Sequence, residues 1–320
     1  MHNVIHLAIL IAVAAVLVWL TVRARRVENR IVRWTSVGLA ALWAAAAVFL
    51  SGLAIAGQIK LQSRSAPIPP LKIAGTTEQF QRGQAIANSF CEACHAAELS
   101  GDLDVGEHFP IPVGSFTSAN LTPAGRISRW SDGEIFRAIR NSVDADGRWM
   151  IIMSYTNASK LSDDDIGALI AYLRSRPAAG ERTAESPDRL NLLGMLLLGA
   201  GMLPGPRPVS VDGITAPPKS PTAQYGEYVL SFQDCRACHG ADLAGGAQGQ
   251  IGPVGPGLAG VREWKLEQFI STLRTGVNPS GHQLGKEMPW QVIGKMDDDD
   301  LTAIYEYLMR LPDSRSDAAR

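Results

Sequence analysis

Cys91-Glu92-Ala93-Cys94-His95 recurs further along the chain as Cys235-Arg236-Ala237-Cys238-His239. In a Cys-x-x-Cys-His run two thiols stand one helical turn apart and an imidazole follows at once. That is the attachment pattern of c-type haem, with thioethers to the two porphyrin vinyls and an axial nitrogen on iron. A bare Cys-x-x-Cys pair also suits a zinc knuckle or a dithiol redox pair. Here both pairs carry the histidine, and the chain's four cysteines are all spent on the two motifs. No thiol is left over for a disulfide or a separate metal site. The motifs therefore point to two covalently bound haem c groups, attached through Cys91, Cys94, Cys235 and Cys238, with His95 and His239 on the irons.

Outward from the motifs, the bulk properties set bounds. A chain of 320 residues has room for two domains, and a hydrophobic fraction of 46% supplies cores with some to spare for membrane contact. Aromatic residues are only 7%, low for a sheet-rich protein and ordinary for small helical domains whose cores are largely filled by a flat cofactor. The formal net charge is −1, and no Lys/Arg cluster occurs outside the N-terminal region, so nucleic acid is set aside as a partner.

The N-terminal region reads as a membrane anchor. Val4 to Val22 and Trp34 to Ile59 contain no Asp, Glu, Lys or Arg, and each is long enough to cross roughly 30 Å of hydrocarbon as a helix. A cleaved signal peptide is the alternative for the first run, but that run lacks a basic leading region and a clear cleavage site, so a retained helix is expected. Arg23, Arg25, Arg26, Arg30 and Arg33 lie between the runs against one acid, Glu28, while Met1 to Asn3 carry no positive side chain. The positive-inside tendency places this loop in the cytoplasm and everything after residue 60 on the outer side. Lys60 and Arg64 weaken the contrast without reversing it.

Laying the two motif segments over each other identifies equivalent positions. Trp130 falls on Trp264, and without a gap Ile135 meets Phe269, Arg140 meets Arg274 and Val143 meets Val277. One residue of slack then brings Met153 onto Met288. Beyond it Leu161 meets Met296, Ile166 meets Leu301, Tyr172 meets Tyr307, Leu173 meets Leu308 and Pro177 meets Pro312. The second axial ligands expected from this register are Met153 and Met288, since Met150 has no methionine opposite it. A thioether is a soft ligand that favours reduced iron. His108 and His282 do not align with each other and are read as surface or pocket histidines. Ser162 or Asp163 is placed to cap a helix over Asp165 to Arg174, and Asp297 to Asp300 open its counterpart. These acids suit docking of a basic partner as well, but capping and the helix macrodipole already explain them.

The pattern resembles the cytochrome subunits of membrane-bound alcohol and aldehyde dehydrogenases and related multi-haem electron carriers. The likeness is carried by Asn120-Leu121-Thr122-Pro123, Ile127, Trp130 and the Phe136 to Arg140 helix in the first unit. In the second it is carried by Arg274-Thr275-Gly276-Val277 and Met288-Pro289-Trp290. It covers about residues 78 to 312. Two positions depart from it: Ser154 stands where the family has proline after the ligand, and Ser142 where it has glycine. Those subunits usually carry three haem domains and a cleavable signal, against two domains and a hairpin here. The resemblance implies class I-like cytochrome c domains, so the expected fold is all-α, with the N-terminal transmembrane helical hairpin read from the apolar runs followed by two tandem class I-like cytochrome c domains. The expected division is anchor 1–60, linker 61–77, first haem unit 78–180, linker 181–221, second haem unit 222–312 and a disordered tail, 313–320.

The second linker holds an apolar run, Leu190 to Leu203, too short and glycine-broken to span a bilayer. Lipid interface, the N-terminal hairpin, a partner, or the space between the haem units are all open as its resting place. The first linker has three prolines within 61–75 and is expected to give the haem units reach from the membrane. The leading functional reading is an electron-transfer subunit without activity of its own. It would pass electrons between a donor, such as a membrane or periplasmic dehydrogenase or a quinol-oxidising complex, and a downstream soluble cytochrome or terminal oxidase. The haem units would lie on the periplasmic or extracytoplasmic side of the cell membrane, in a respiratory chain. A di-haem peroxidase-like or thiosulfate-oxidising enzyme needs an open iron or a cysteinate ligand, and every cysteine here is committed. A redox or gas sensor needs an output domain, and none is visible.

Overall fold

The computed structural model describes residues 2–62, 65–106, 111–181, 188–248 and 253–311; His108 and the tail beyond Leu311 lie outside them. The two apolar runs form α1 (His2–Ala24) and α2 (Arg30–Gln62), packed on each other as a hairpin. In the turn, Asn29 Oδ1 accepts the backbone N–H groups of Ile31 and Val32 at 3.0 and 3.1 Å and so caps α2. Both helices are long and apolar enough to cross a membrane, with mean hydropathies of 2.4 and 2.2 over their apolar spans. Trp19, Leu42, Trp43 and Phe49 all point outward from the pair, which is how a helix apolar all round meets lipid.

The segment read as a reaching linker is instead strapped to the first haem unit. Leu61 is buried, and its carbonyl accepts the Trp149 N–H at 3.2 Å. Further on, Ile73 N–H donates to Asp132 at 2.8 Å, and Gly133 leaves the room that the Pro69 carbonyl occupies. Proline stiffness thus serves a fixed path along the protein surface rather than distance from the membrane.

Helix α3 (Thr77–Ile86) starts at a capping box of Thr76 and Gln79 and runs through a π-helical turn, Ala87–Cys91, into α4 (Glu92–His95). A short strand β1 (Gly114–Phe116) precedes α5 (Asp132–Asn141), which is capped by Ser131 and Glu134, and α6 (Asp163–Ser175), capped by Ser162. Strand β2 (Asp188–Leu190) pairs antiparallel with β1, Ser115 opposite Arg189. It leads into α7 (Leu192–Gly199), whose cap is Asn191. The second set comprises α8 (Ala223–Phe232), α9 (Cys235–His239), α10 (Leu266–Thr275), α11 (Trp290–Ile293) and α12 (Asp298–Leu308), the last capped by Asp297.

Helix α3 crosses α6, and α8 crosses α12, each at a glycine. A Cβ on Gly83 would stand 2.1 Å from the Ala168 carbonyl oxygen of α6, and one on Gly226 would stand 1.9 Å from that of Ala303 on α12. Only a residue without a side chain admits the opposing backbone this closely. Ala168 and Ala303 occupy matching positions in the sequence register, so the crossing is the same contact made twice.

The two sets share one apolar core, in which Ile86, Leu169 and Ile170 of the first join Val229, Leu301 and Ile304 of the second. A smaller core gathers Leu61, Val113, Phe116, Trp149, Ile151, Leu190, Met195 and Leu198. It welds α7, the β1–β2 pair and the end of α2 to the first haem unit. The short β pair was not foreseen from sequence, because three-residue strands leave no periodic pattern to read.

Candidate haem sites

Both motifs lie on short helices that open onto one continuous cavity of about 790 Å³. Its walls include Cys91, Cys94 and His95 with Met153, and Cys235, Cys238 and His239 with Met288. Most of the remaining wall is apolar, with Leu121, Ile135 and Leu169 around the first motif and Leu258, Phe269 and Ile304 around the second, while Arg126, Asp144, Arg148, Asp234 and Glu287 also border it.

The histidines are set identically. His95 Nδ1 lies 2.7 Å from the Ala119 carbonyl oxygen, and His239 Nδ1 lies 2.7 Å from that of Pro256. A carbonyl only accepts, so each Nδ1 carries the proton and each Nε2 keeps its lone pair for a metal. Burial holds the His95 imidazole below its ordinary pKa against the opposing pull of the Ala119 bond, which favours the neutral ligand form. Burial also pushes the Cys91 and Cys235 thiols up to about 12. Neither is a standing thiolate of the kind a dithiol redox centre uses. Among the described residues no group of three or more His, Cys, Asp or Glu side chains is placed to hold a metal ion. Oriented imidazoles, paired thiols and mainly apolar walls all fit covalent haem.

The loops after the motifs repeat in detail. Gly101 N–H donates to the His95 carbonyl at 2.8 Å and Gly245 N–H to the His239 carbonyl at 2.9 Å. Leu99 and Leu243 both take the left-handed backbone, at φ 61° and 64°. Leu121 N–H and Leu258 N–H bond back to the carbonyls of those same two leucines, at 2.8 Å each. This is what brings the Ala119 and Pro256 carbonyls to the imidazoles. Sequence reading missed them, since a backbone acceptor leaves no residue signature and the two stretches share little beyond one leucine.

Around the methionines the structural repeat agrees with the sequence register. Trp130 and Trp264 each close a 3₁₀ turn, and the helices α5 and α10 that follow end at Ser142 and Gly276, both left-handed at φ 53° and 73°. Glycine takes that conformation freely and serine does not, which gives the physical content of the Ser142 departure. Met150 N–H bonds to the Ser142 carbonyl at 2.8 Å, as Leu284 N–H does to Gly276 at 2.7 Å. Met150 therefore corresponds to Leu284. The extra residue of the second unit falls between Leu284 and Met288. Both Met150 and Met153 border the cavity, as does His282, which by its backbone pairing with Asn278 sits where the first unit has Arg148. The acids at the helix starts are largely engaged internally: Asp163 pairs with Arg140 at 2.6 Å, Asp297 with Lys219, and Asp298 with Arg274 at 2.7 Å.

The units meet through a polar cluster. Arg82 of α3 donates to Asp165 at 2.7 Å and to its counterpart Asp300 at 2.8 Å. Tyr228 OH donates to Asp165 at 2.5 Å and Tyr225 OH to Asp300 at 2.9 Å. Phe90 and Phe232, beside the two motifs, meet edge to face with centroids 6.1 Å apart. Lys295 of the second unit pairs with Glu92, inside the first motif.

Two such sites on one helical framework define the protein as a di-haem c-type cytochrome, its haems bound covalently in two cytochrome c domains. The family models agree: residues 78–173 match cytochrome c oxidase, cbb3-type, subunit III, and residues 223–312 match cytochrome c. Among individual proteins, the chain is 28% identical over 263 residues to the cytochrome c subunit of a quinone alcohol dehydrogenase from Gluconacetobacter polyoxogenes. That alignment covers 72% of this chain and 56% of the relative, so the chain spans little more than half of that protein's length. A diheme cytochrome c-type protein of Cereibacter sphaeroides is 25% identical over 270 residues, covering 76% of this chain and 89% of that one. The fructose dehydrogenase cytochrome subunit of Gluconobacter japonicus is 33% identical over 103 residues, which is 28% of this chain and 21% of its own.

Proposed function

We propose that this cytochrome is a membrane-anchored electron carrier whose haem units face the periplasmic or extracytoplasmic side. It would relay single electrons from a membrane or periplasmic dehydrogenase, or a quinol-oxidising complex, to a soluble cytochrome or terminal oxidase. The observation that carries the reading is the single cavity onto which both motifs and both repeat-matched methionines open. Bound haem c supplies a one-electron iron couple. His95 and His239 hold Nε2 toward that group, and Ala119 and Pro256 fix the imidazole tautomers. Met153 and Met288, which line the same cavity, would supply the second protein ligand to each iron, and a substrate would then find no position open. The mainly apolar walls favour a buried porphyrin, and the Phe90–Phe232 contact beside the motifs keeps the units together. The likeness to dehydrogenase cytochrome subunits supports a dehydrogenase as donor. The outward apolar faces of α1 and α2, with the arginine-rich turn between them, support the anchor and its orientation.

Two measurements test it. Both ferric haems of the purified chain should be low-spin and slow to bind cyanide or peroxide; a high-spin iron that binds either at once would turn the reading to an enzyme. An alkaline phosphatase fusion after Arg320 should be active and one at Asn29 inactive, and the opposite pattern would overturn the orientation.

A further inference from the structure

The run Leu190 to Leu203 finds its place in the structure against the membrane hairpin. Gly57 of α2 and Gly199 of α7 form a close crossing: a Cβ on the first would stand 2.2 Å from the Met195 carbonyl oxygen, and one on the second 1.9 Å from that of Leu53. Lys60 Nζ caps the end of α7, donating to the Leu198 carbonyl at 2.9 Å and to that of Gly199 at 3.3 Å. The depth of this contact comes from helix geometry. Counting a 1.5 Å rise per residue from Trp34, Leu53 stands about 28 Å and Gly57 about 35 Å along α2. A hydrocarbon layer of about 30 Å that begins at Trp34 ends between them.

The outer side of α7 and of the turn after it stays apolar. Leu193 is 43% exposed and Met202 72%, and α2, against which α7 packs, exposes Leu50, Ile55 and Ile59. No charged residue occurs from Leu190 to Pro206. An eight-residue helix cannot cross a bilayer, but an apolar face continuous with a spanning helix, at the boundary depth, fits the acyl chains of the outer leaflet.

We infer that α7 and the turn after it form a third, monotopic membrane contact, in which the exposed apolar side of Leu192–Leu203 is buried in lipid. The inference rests on the hairpin spanning the bilayer. It also orients the haem body. Met195 and Leu198 pack in one core with Trp149 and Ile151, so the loop that carries Met153 is seated on the membrane side. The first haem unit is thereby the membrane-proximal one.

The test is photolabelling of the full haem-loaded chain in phosphatidylcholine vesicles that contain a lipid with a diazirine on its acyl chain, followed by peptide mapping. Adducts are expected on α1, α2 and the 192–203 peptide, the last at least tenfold above those on α12. In Leu193→Lys/Met202→Lys, whose changes lie on the exposed side, labelling of that peptide should fall severalfold while labelling of α2 persists. Labelled α1 and α2 with a 192–203 peptide no better labelled than α12 would overturn the inference alone. Absence of adducts from α1 and α2 would overturn the hairpin and the inference with it.

Discussion

Among single residues, the fold sets the carbonyl bonded to each histidine, and the methionine proposed as the second ligand bears most directly on each haem. Met153 and Met288 come after hydrogen-bonded turns that match bond for bond, whereas Met150 matches Leu284. Met288→Ala should therefore remove half of the sulfur-to-iron charge-transfer absorption and lower one reduction potential, because water or a nitrogen ligand stabilises ferric iron better than a thioether does. Met153→Ala should remove the other half, and Met150→Ala should leave the band intact. Loss of the first site's band in Met150→Ala would show that the ligand loop, despite its matching turns, turns the other methionine inward.

Among the elements, the frame of each unit is a crossing of two helices at a glycine. Gly83→Ala or Gly226→Ala places a methyl within about 2 Å of a carbonyl oxygen that belongs to the partner helix backbone, and no rotamer relieves that clash. The helices must separate, uncovering core side chains such as Ile86 and Ile166 in one unit or Val229 and Leu301 in the other. Overpacking of this kind costs about 1–3 kcal/mol, and the backbone shift places these sites at the upper end. Denaturant unfolding of each variant checks it, with an exposed mid-helix site such as Glu227→Ala expected within about 0.5 kcal/mol of the parent.

Across the whole molecule, Arg82 joins the two units. Burial alone would lower its guanidinium pKa, but the Asp165 bond and the charges of Asp300 and Asp165 hold it above the ordinary value. Burial raises the Asp300 carboxyl, and Arg82 opposes that rise. Arg82→Met removes the counter-ion and leaves two buried carboxylates facing the same space, a loss of about 3–5 kcal/mol. Its pH dependence has a definite sign. A carboxyl whose folded pKa lies above the unfolded one binds its proton more tightly when folded, so stability falls as pH rises above about 4, the ordinary carboxylate value. Without Arg82 the folded value moves higher still. The deficit of Arg82→Met relative to the parent should therefore be smaller at pH 5 than at pH 8 in thermal unfolding, and a deficit that shrinks with rising pH would contradict the pairing.

The chemistry and the repeat are written in the residues themselves. Covalent haem attachment needs particular side chains at fixed local spacing, so Cys91, Cys94, His95 and their counterparts were legible at once. The helix starts at Ser162 and Asp297 and the two apolar helices were legible for the same reason, since capping and hydropathy act within a few turns. How the parts are joined is set by long-range contacts instead. The two haem units and the segment expected to be a free linker form one body with a shared core, held by Arg82, Asp165, Tyr228, Tyr225 and Asp300. These are common residue types whose partnership spans up to 218 positions of chain, so nothing local announces it. The resting place of α7 was likewise open in sequence, where a short apolar run suits several surroundings equally. Gly57 and Gly199 settle it through a close backbone approach, and a contact between two backbones leaves no periodic trace in either segment.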